Sequence, residues 1–159
     1  MENTPGGPTV IINHGLTSSK YSAGILLASG ILYNNGFNVL AIDLRDHGDS
    51  TCEDGYYSAG QKESEDSAAA VAWLTDEKDI SPKSSLEMSE KQPILIFNGM
   101  LDERILPHHT DDLIALANNL DIEVEAYRYA DMGHVQSIFV YTDEFEEVIV
   151  DFFNRNLSS

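Results

Sequence analysis

Lysine and arginine are scarce in this sequence. Nine of them stand against 27 aspartates and glutamates, which gives a formal net charge of −18 over 159 residues. So acidic a chain repels nucleic-acid phosphates and anionic lipid, so neither is an expected partner. The excess suits a salty medium or favours solubility, and it carries no information about the fold. Cysteine occurs once, as Cys52, which rules out an internal disulfide. No apolar run approaches the ~20 residues of a bilayer-spanning helix. Met1-Glu2-Asn3-Thr4-Pro5 lacks the apolar stretch of a signal peptide. These absences predict a cytoplasmic protein without a membrane span. Internal repeats and low-complexity tracts are missing too.

What remains is an ordinary globular composition, 42% hydrophobic, on a chain long enough for one domain with a real core. Residues 1–8 read as a loose Pro/Gly-rich lead. Thr9–Asn13 carries Val10, Ile11 and Ile12 in an unbroken β-branched run, the pattern of a strand buried on both faces. Tyr21–Asn35 has helical spacing at Tyr21, Ile25, Leu26, Ala28, Leu32 and Tyr33, closed by Gly36. Asn38–Ile42 is a second apolar strand. A helix over about 62–76 opens on Glu63, Glu65 and Asp66, which suits its dipole, and offers Ala69, Val71, Ala72 and Leu74 as a core face. Pro93–Asn98 is the third strand. A helix over about 110–119 takes Thr110 as its N-cap. Ile122–Tyr129 alternates Ile122, Val124 and Ala126 with Glu123, Glu125 and Tyr127, the pattern of an edge strand with one wet face. Asp143–Asn154 closes the chain as an amphipathic helix. Strands alternating with helices predict an α/β fold with a parallel sheet and right-handed crossovers.

Several polar groups stand at strand ends. Asn13-His14-Gly15 stops the first strand and leaves free backbone N–H groups at the carboxyl edge of the sheet, where open α/β sheets bind ligands. Asp43-Leu44-Arg45-Asp46-His47-Gly48-Asp49-Ser50 follows the second strand, its carboxylates shaping the loop through hydrogen bonds and an Arg45 ion pair. His108 and His109, beside Asp111 and Asp112, match no strong metal-ligand pattern, and a solvated helix start explains them better. Residues 78–92 are a long polar linker without a strand-like run.

Taken together these motifs resemble the α/β-hydrolase superfamily, in particular its small esterase, acylglycerol-lipase and serine-peptidase-like members. Val10–Gly15 is similar to the family's third strand and His-Gly oxyanion motif, so the resemblance makes His14, Gly15 and Leu16 oxyanion or crevice residues. Asp43–Ser50 is similar to the D-x-R-G-x-G-x-S loop, with Asp46 and His47 standing where a glycine is usual. Pro93–Asp102 resembles the strand leading to the acid of the catalytic triad, here Asp102, and Gly133-His134 the loop carrying its base, here His134. The match runs over most of the chain. It implies a serine hydrolase of carboxylic esters or related acyl substrates, with a small-molecule acyl or ester ligand and no cofactor or metal.

One part of that pattern is absent. The family's nucleophile sits on a Gly-x-Ser-x-Gly elbow, and the sequence contains none. Compared with the family, the elbow strand, its helix and the following strand are missing, as are the first two strands. Loss of whole β–α units predicts a single, internally shortened domain over 1–159, three-layered and doubly wound, with a mostly parallel four-stranded sheet in the order 2-1-3-4. Ser18, Ser19 and Ser50 follow carboxyl ends of strands and are the possible substitute nucleophiles, as is Cys52 by position. Each has a plainer reading as a capping or loop residue. Ser84, Ser85 and Ser89 precede the third strand at its far end and read as linker. Without the elbow, activity is expected to be weak or absent. Two other readings stay open: a non-catalytic domain that binds a small ligand, and one part of an assembly completed by a second chain or a homo-oligomer.

Overall fold

The structure, a computed structural model, describes residues 1–52, 55–58, 61–78 and 92–157. The chain divides into two compact units, Met1–Pro82 and Lys83–Ser159. Ser84, Ser85, Ser89 and the body of the expected linker lie outside the described residues.

The first unit is a β–α–β–α run. Strand β1 (Thr9–Asn13) and strand β2 (Asn38–Ile42) pair in parallel with Thr9 opposite Asn38 and Asn13 opposite Ile42. Helix α1 (Ala23–Asn34) crosses between them and packs on both. Its buried residues are Ser29, Ile31 and Leu32, whereas Leu26, expected inside, is exposed. Gly36 (φ 94°) reverses the chain after the C-cap Asn35, a left-handed turn that glycine adopts without a Cβ penalty. Val10 is buried, and Ile11 and Ile12 are half-buried.

Residues 1–8 are not loose. The Met1 ammonium donates to the Val39 carbonyl at 2.7 Å, and the Val39 amide donates to the Met1 carbonyl at 2.8 Å. Asn38 completes the seam. Its Oδ1 accepts from the amides of Asn3 and Thr4, and its Nδ2 donates to the carbonyls of Thr4 and Gly7. A buried asparagine must find partners for both ends of its amide, and the lead supplies them.

Helix α2 (Glu63–Lys78) begins with Glu63, Glu65 and Asp66 in its first turn. Its covered stripe is Glu63, Asp66, Ser67, Ala70, Val71 and Leu74, which keeps Val71 and Leu74 of the expected face, whereas Ala69 and Ala72 are exposed. Polar anchoring sets that stripe. Buried Glu63 accepts the Ser58 amide at 2.9 Å and the Ser58 hydroxyl. Asp66 takes the Arg45 guanidinium through Nε at 3.1 Å and Nη2 at 2.9 Å, and the Arg45 amide at 2.9 Å. The expected Arg45 ion pair therefore joins the loop to α2 rather than staying within the loop.

The second unit has a related order. Strand β3 (Ile94–Gly99) and strand β4 (Val124–Tyr129) are parallel, with Ile94 opposite Val124 and Gly99 opposite Tyr129. Helix α3 (Pro107–Asn119) connects them and packs on both. It starts at Pro107, whose fixed φ suits the first helical position. Thr110 is thus a buried residue inside the helix and not its cap, and exposed His108 and His109 fall in the first turn. On β4 the phase differs from expectation. Tyr127 stacks on its register partner Phe97 at 5.6 Å and Tyr129 is buried, while Ala126 and Arg128 face outward. The aromatic pair gains more from burial than alanine would. A short helix α4 (Ser137–Val140), not expected from the sequence, precedes the closing helix α5 (Thr142–Leu157), which buries Phe145 and Phe152.

Among the described residues the paired strands form these two parallel pairs, β1 with β2 and β3 with β4. Both consist of parallel strands joined through a helix, the expected α/β class. No helix of the described residues is long and apolar enough to cross a membrane.

Candidate active site

In the second unit, two loops at the carboxyl ends of neighbouring parallel strands are drawn together. Gly99 ends β3 against the loop after β4. A Cβ there would overlap the Met132 and Gly133 carbonyls, so only glycine permits the approach. The amides of Met100 and Leu101 donate across the gap to Tyr129 and Met132, at 2.8 and 2.9 Å. Asp102 and His134 face each other as a result. Nδ1 of His134 lies 2.9 Å from Oδ2 of Asp102. A carboxylate only accepts, so Nδ1 carries a proton, and in the neutral ring Nε2 keeps the lone pair.

The other carboxylate oxygen is fixed as well. Asp102 Oδ1 accepts the amides of Arg104 at 2.8 Å and Ile105 at 2.9 Å. Burial raises the carboxyl pKa, but the Ile105 amide, the His134 ring and the Arg104 amide outweigh it and hold it below the usual range. Asp102 is therefore an anion with only 6% of its side chain exposed, whereas the His134 side chain is 38% exposed. That is the order required of an orienting acid and a working base.

The His134 loop is itself braced. Gln136 Oε1 accepts the Gly133 amide at 2.7 Å, and the Gln136 amide returns to the Gly133 carbonyl at 3.4 Å. Val135 takes φ 57°, a left-handed conformation that a β-branched residue rarely adopts. Strain of this kind concentrates where a neighbouring side chain must be presented. The sequence reading missed Gln136. A glutamine three residues after a turn glycine is the signal that would have found it.

In the first unit, His14 ends β1 and is buried at 5% exposure. Its Nε2 accepts the Leu44 amide at 3.1 Å and its Nδ1 faces the Gly15 carbonyl at 2.8 Å. Both ring nitrogens are thus committed to backbone, which makes His14 a structural joint between the β1 and β2 loops. Gly15 and Leu16 follow it in an exposed turn. Their amides, and not the histidine ring, are what this turn can offer a substrate.

Asp43 organises the loop after β2. Its carboxylate accepts the Lys20 amide at 2.7 Å, the Asp49 amide at 2.9 Å and the Lys20 ammonium at 3.0 Å. Burial raises its pKa, but the Asp49 and Lys20 amides and the Lys20 ammonium dominate and bring it to about 2. Gly48 (φ 53°) passes over this carboxylate so closely that a Cβ would collide with it. Asp46 (φ 61°) takes a left-handed turn that aspartate tolerates better than most residues. Lys20 was not expected to matter. A lone cation preceding an acidic loop is its signature.

The substitute nucleophiles are spread over this unit. Ser50 donates its hydroxyl to the Asp43 carbonyl at 2.6 Å. Ser19 Oγ accepts the Tyr21 amide at 3.3 Å, as a loop cap does. Ser18 is half-buried between β1 and α1, and Cys52 is an exposed thiol. Neither Ser19 nor Ser50 has a histidine as its hydroxyl's partner in these bonds.

No protein-family model matches the chain, and no curated protein does. Solved structures do. The Pyrococcus furiosus esterase Pf2001 aligns with a TM-score of 0.82 at 20% identity, over 97% of this chain and 86% of that one. XC6422 from Xanthomonas campestris, described as an α/β serine hydrolase without a lid, aligns at 0.70 and 17% identity, over 92% and 81%. An α/β serine hydrolase homologue from Coxiella burnetii aligns at 0.66 and 19% identity, over 91% and 84%. The strand-end positions of Asp102 and His134 and these likenesses lead to one conclusion: the chain has an α/β-hydrolase fold.

Proposed function

We propose that the protein is a serine hydrolase of carboxylic esters or related acyl substrates, in which His134 is the general base and Asp102 its orienter. One observation carries this reading. A buried, amide-held carboxylate fixes the tautomer of a partly exposed imidazole and leaves its Nε2 lone pair outward, at the ends of parallel strands. The reaction would be acyl transfer to a hydroxyl: Nε2 takes the nucleophile's proton as its oxygen attacks the ester carbon, then returns it to the departing alkoxide. In the resembling family one oxyanion donor is supplied by the elbow this sequence lacks, and loss of one donor costs about 10²–10³ in rate. Turnover should therefore be slow.

The Ser50 hydroxyl, spent on its own loop, favours a second reading in which the domain binds a small acyl or carboxylate ligand without turning it over, or is completed by a second chain.

Reaction of the pure protein with a fluorophosphonate probe separates the two. The hydrolase reading expects a stoichiometric adduct by intact mass, located to one serine by peptide mapping and lost in His134→Ala. A folded protein that takes up no adduct defeats the serine mechanism in this chain.

A further inference from the structure

The first unit contains a second pair of histidines with no role in the reading above. His14 follows β1 and His47 lies in the loop after β2, with ring centroids 5.0 Å apart. His14 Nε2 accepts the amide of Leu44 in the β2 loop at 3.1 Å, while His47 Nε2 accepts the amide of Thr17 in the β1 loop at 3.3 Å. Each ring also faces a carbonyl of its own loop through Nδ1, His14 to Gly15 at 2.8 Å and His47 to Arg45 at 2.9 Å. A carbonyl cannot donate, so both rings are neutral with the proton on Nδ1. We infer that His14 and His47 form a reciprocal clasp that locks the Gly15–Thr17 turn to the Leu44–His47 turn, and that protonation of His47 opens it.

The reason lies in the acceptors. Nε2 holds a backbone N–H only through its lone pair. Once protonated it presents a donor to a donor, and a positive charge to its neighbouring ring. The two histidines are not equivalent in this. His14 Nε2 lies 3.7 Å from Asp43 Oδ1, so a proton on it has a carboxylate to turn to. His47 faces His14 and the edge of Tyr57 at 6.2 Å. Among the described residues no carboxylate forms an ion pair with His47: Lys20 pairs with Asp43 and Asp49, Arg45 with Asp66 and Glu65, and Asp46 Oδ1 accepts the Gly55 amide. His47 is thus the member that releases.

Thr17 adds a second, independent sign. It is β-branched and sits at φ 59°, a conformation such residues rarely take. The bond to His47 holds it there, and loss of that bond frees the turn to relax.

Nitrogen-detected NMR on the intact protein tests the clasp without reference to any activity. At neutral pH both imidazoles should show the Nδ1–H tautomer. Acidification should abolish the exchange protection of the Thr17 amide in step with the His47 ring titration. His47→Phe, which keeps a ring but removes the acceptor, should speed Thr17 exchange roughly two- to tenfold while the Leu44 amide stays protected. An Nε2–H tautomer on His47 in the unaltered protein, or Thr17 protection that persists through the ring's titration, would overturn the inference. Neither result would bear on the serine mechanism, which the probe reaction decides separately.

Discussion

Asp102 Oδ2 and His134 Nδ1 stand 2.9 Å apart across two loops that one glycine allows to meet. The carboxylate is held from behind by two amides, so the pair is rigid on the acid side and open on the base side. Asp102→Asn tests this directly. The amide can present its NH₂ to the ring, which would move the imidazole proton to Nε2. Nitrogen NMR should show that tautomer change, and any ester turnover should fall by up to about 10⁴.

Gly99→Ala should separate the two loops. The added methyl meets the carbonyls of Met132 and Gly133, which are backbone and cannot swing away. We expect a destabilisation of about 1–3 kcal/mol in chemical denaturation, with weakened protection of the Leu101 amide. A variant as stable as the parent would show that the approach is not tight.

Acid should unfold the first unit through Asp43. Its carboxyl pKa falls from 3.8 to about 2 on folding. A lowered folded pKa means that the stabilisation is complete above the ordinary carboxylate range and is lost as pH falls from about 4 towards 2. Asp102 is also lowered, so its contribution acts in the same direction and fades on acidification. Asp43→Asn should flatten the stability–pH curve in that window, read by circular dichroism. An unchanged curve would remove Asp43 as the acid-sensitive anchor.

Arg45→Ala should loosen α2 from the loop after β2. The fork to Asp66 is half-buried and reinforced by the Arg45 amide. Charge-assisted bonds of this kind contribute about 1.5–3 kcal/mol, so a loss of about 1–2 kcal/mol in denaturant titration is expected after discounting for exposure. Arg45→Lys should recover only part of it, since an ammonium cannot form the fork.

The alternation of apolar strands with helices, the four strand positions, the closing amphipathic helix and the Asp102–His134 pairing were all legible in the sequence. Each depends on local periodicity or on motifs that keep a fixed place at strand ends. Tertiary packing decided the rest. Glu63 and Asp66 found polar anchors that brought them, with Ala70, onto the covered side of α2 beside Val71 and Leu74, and left Ala69 and Ala72 exposed. Tyr127 took the covered side of β4 because it could stack on Phe97. Pro107 moved the start of α3 one turn ahead of Thr110, and Asn38 tied down a lead that looked loose. His14 read as part of an oxyanion motif, but only the folded chain shows its two nitrogens committed to backbone and mirrored by His47. Side-chain periodicity encodes which residues share a face. Which face is covered, and which polar atoms find partners, depends on groups far away in the chain, and no local pattern contains them.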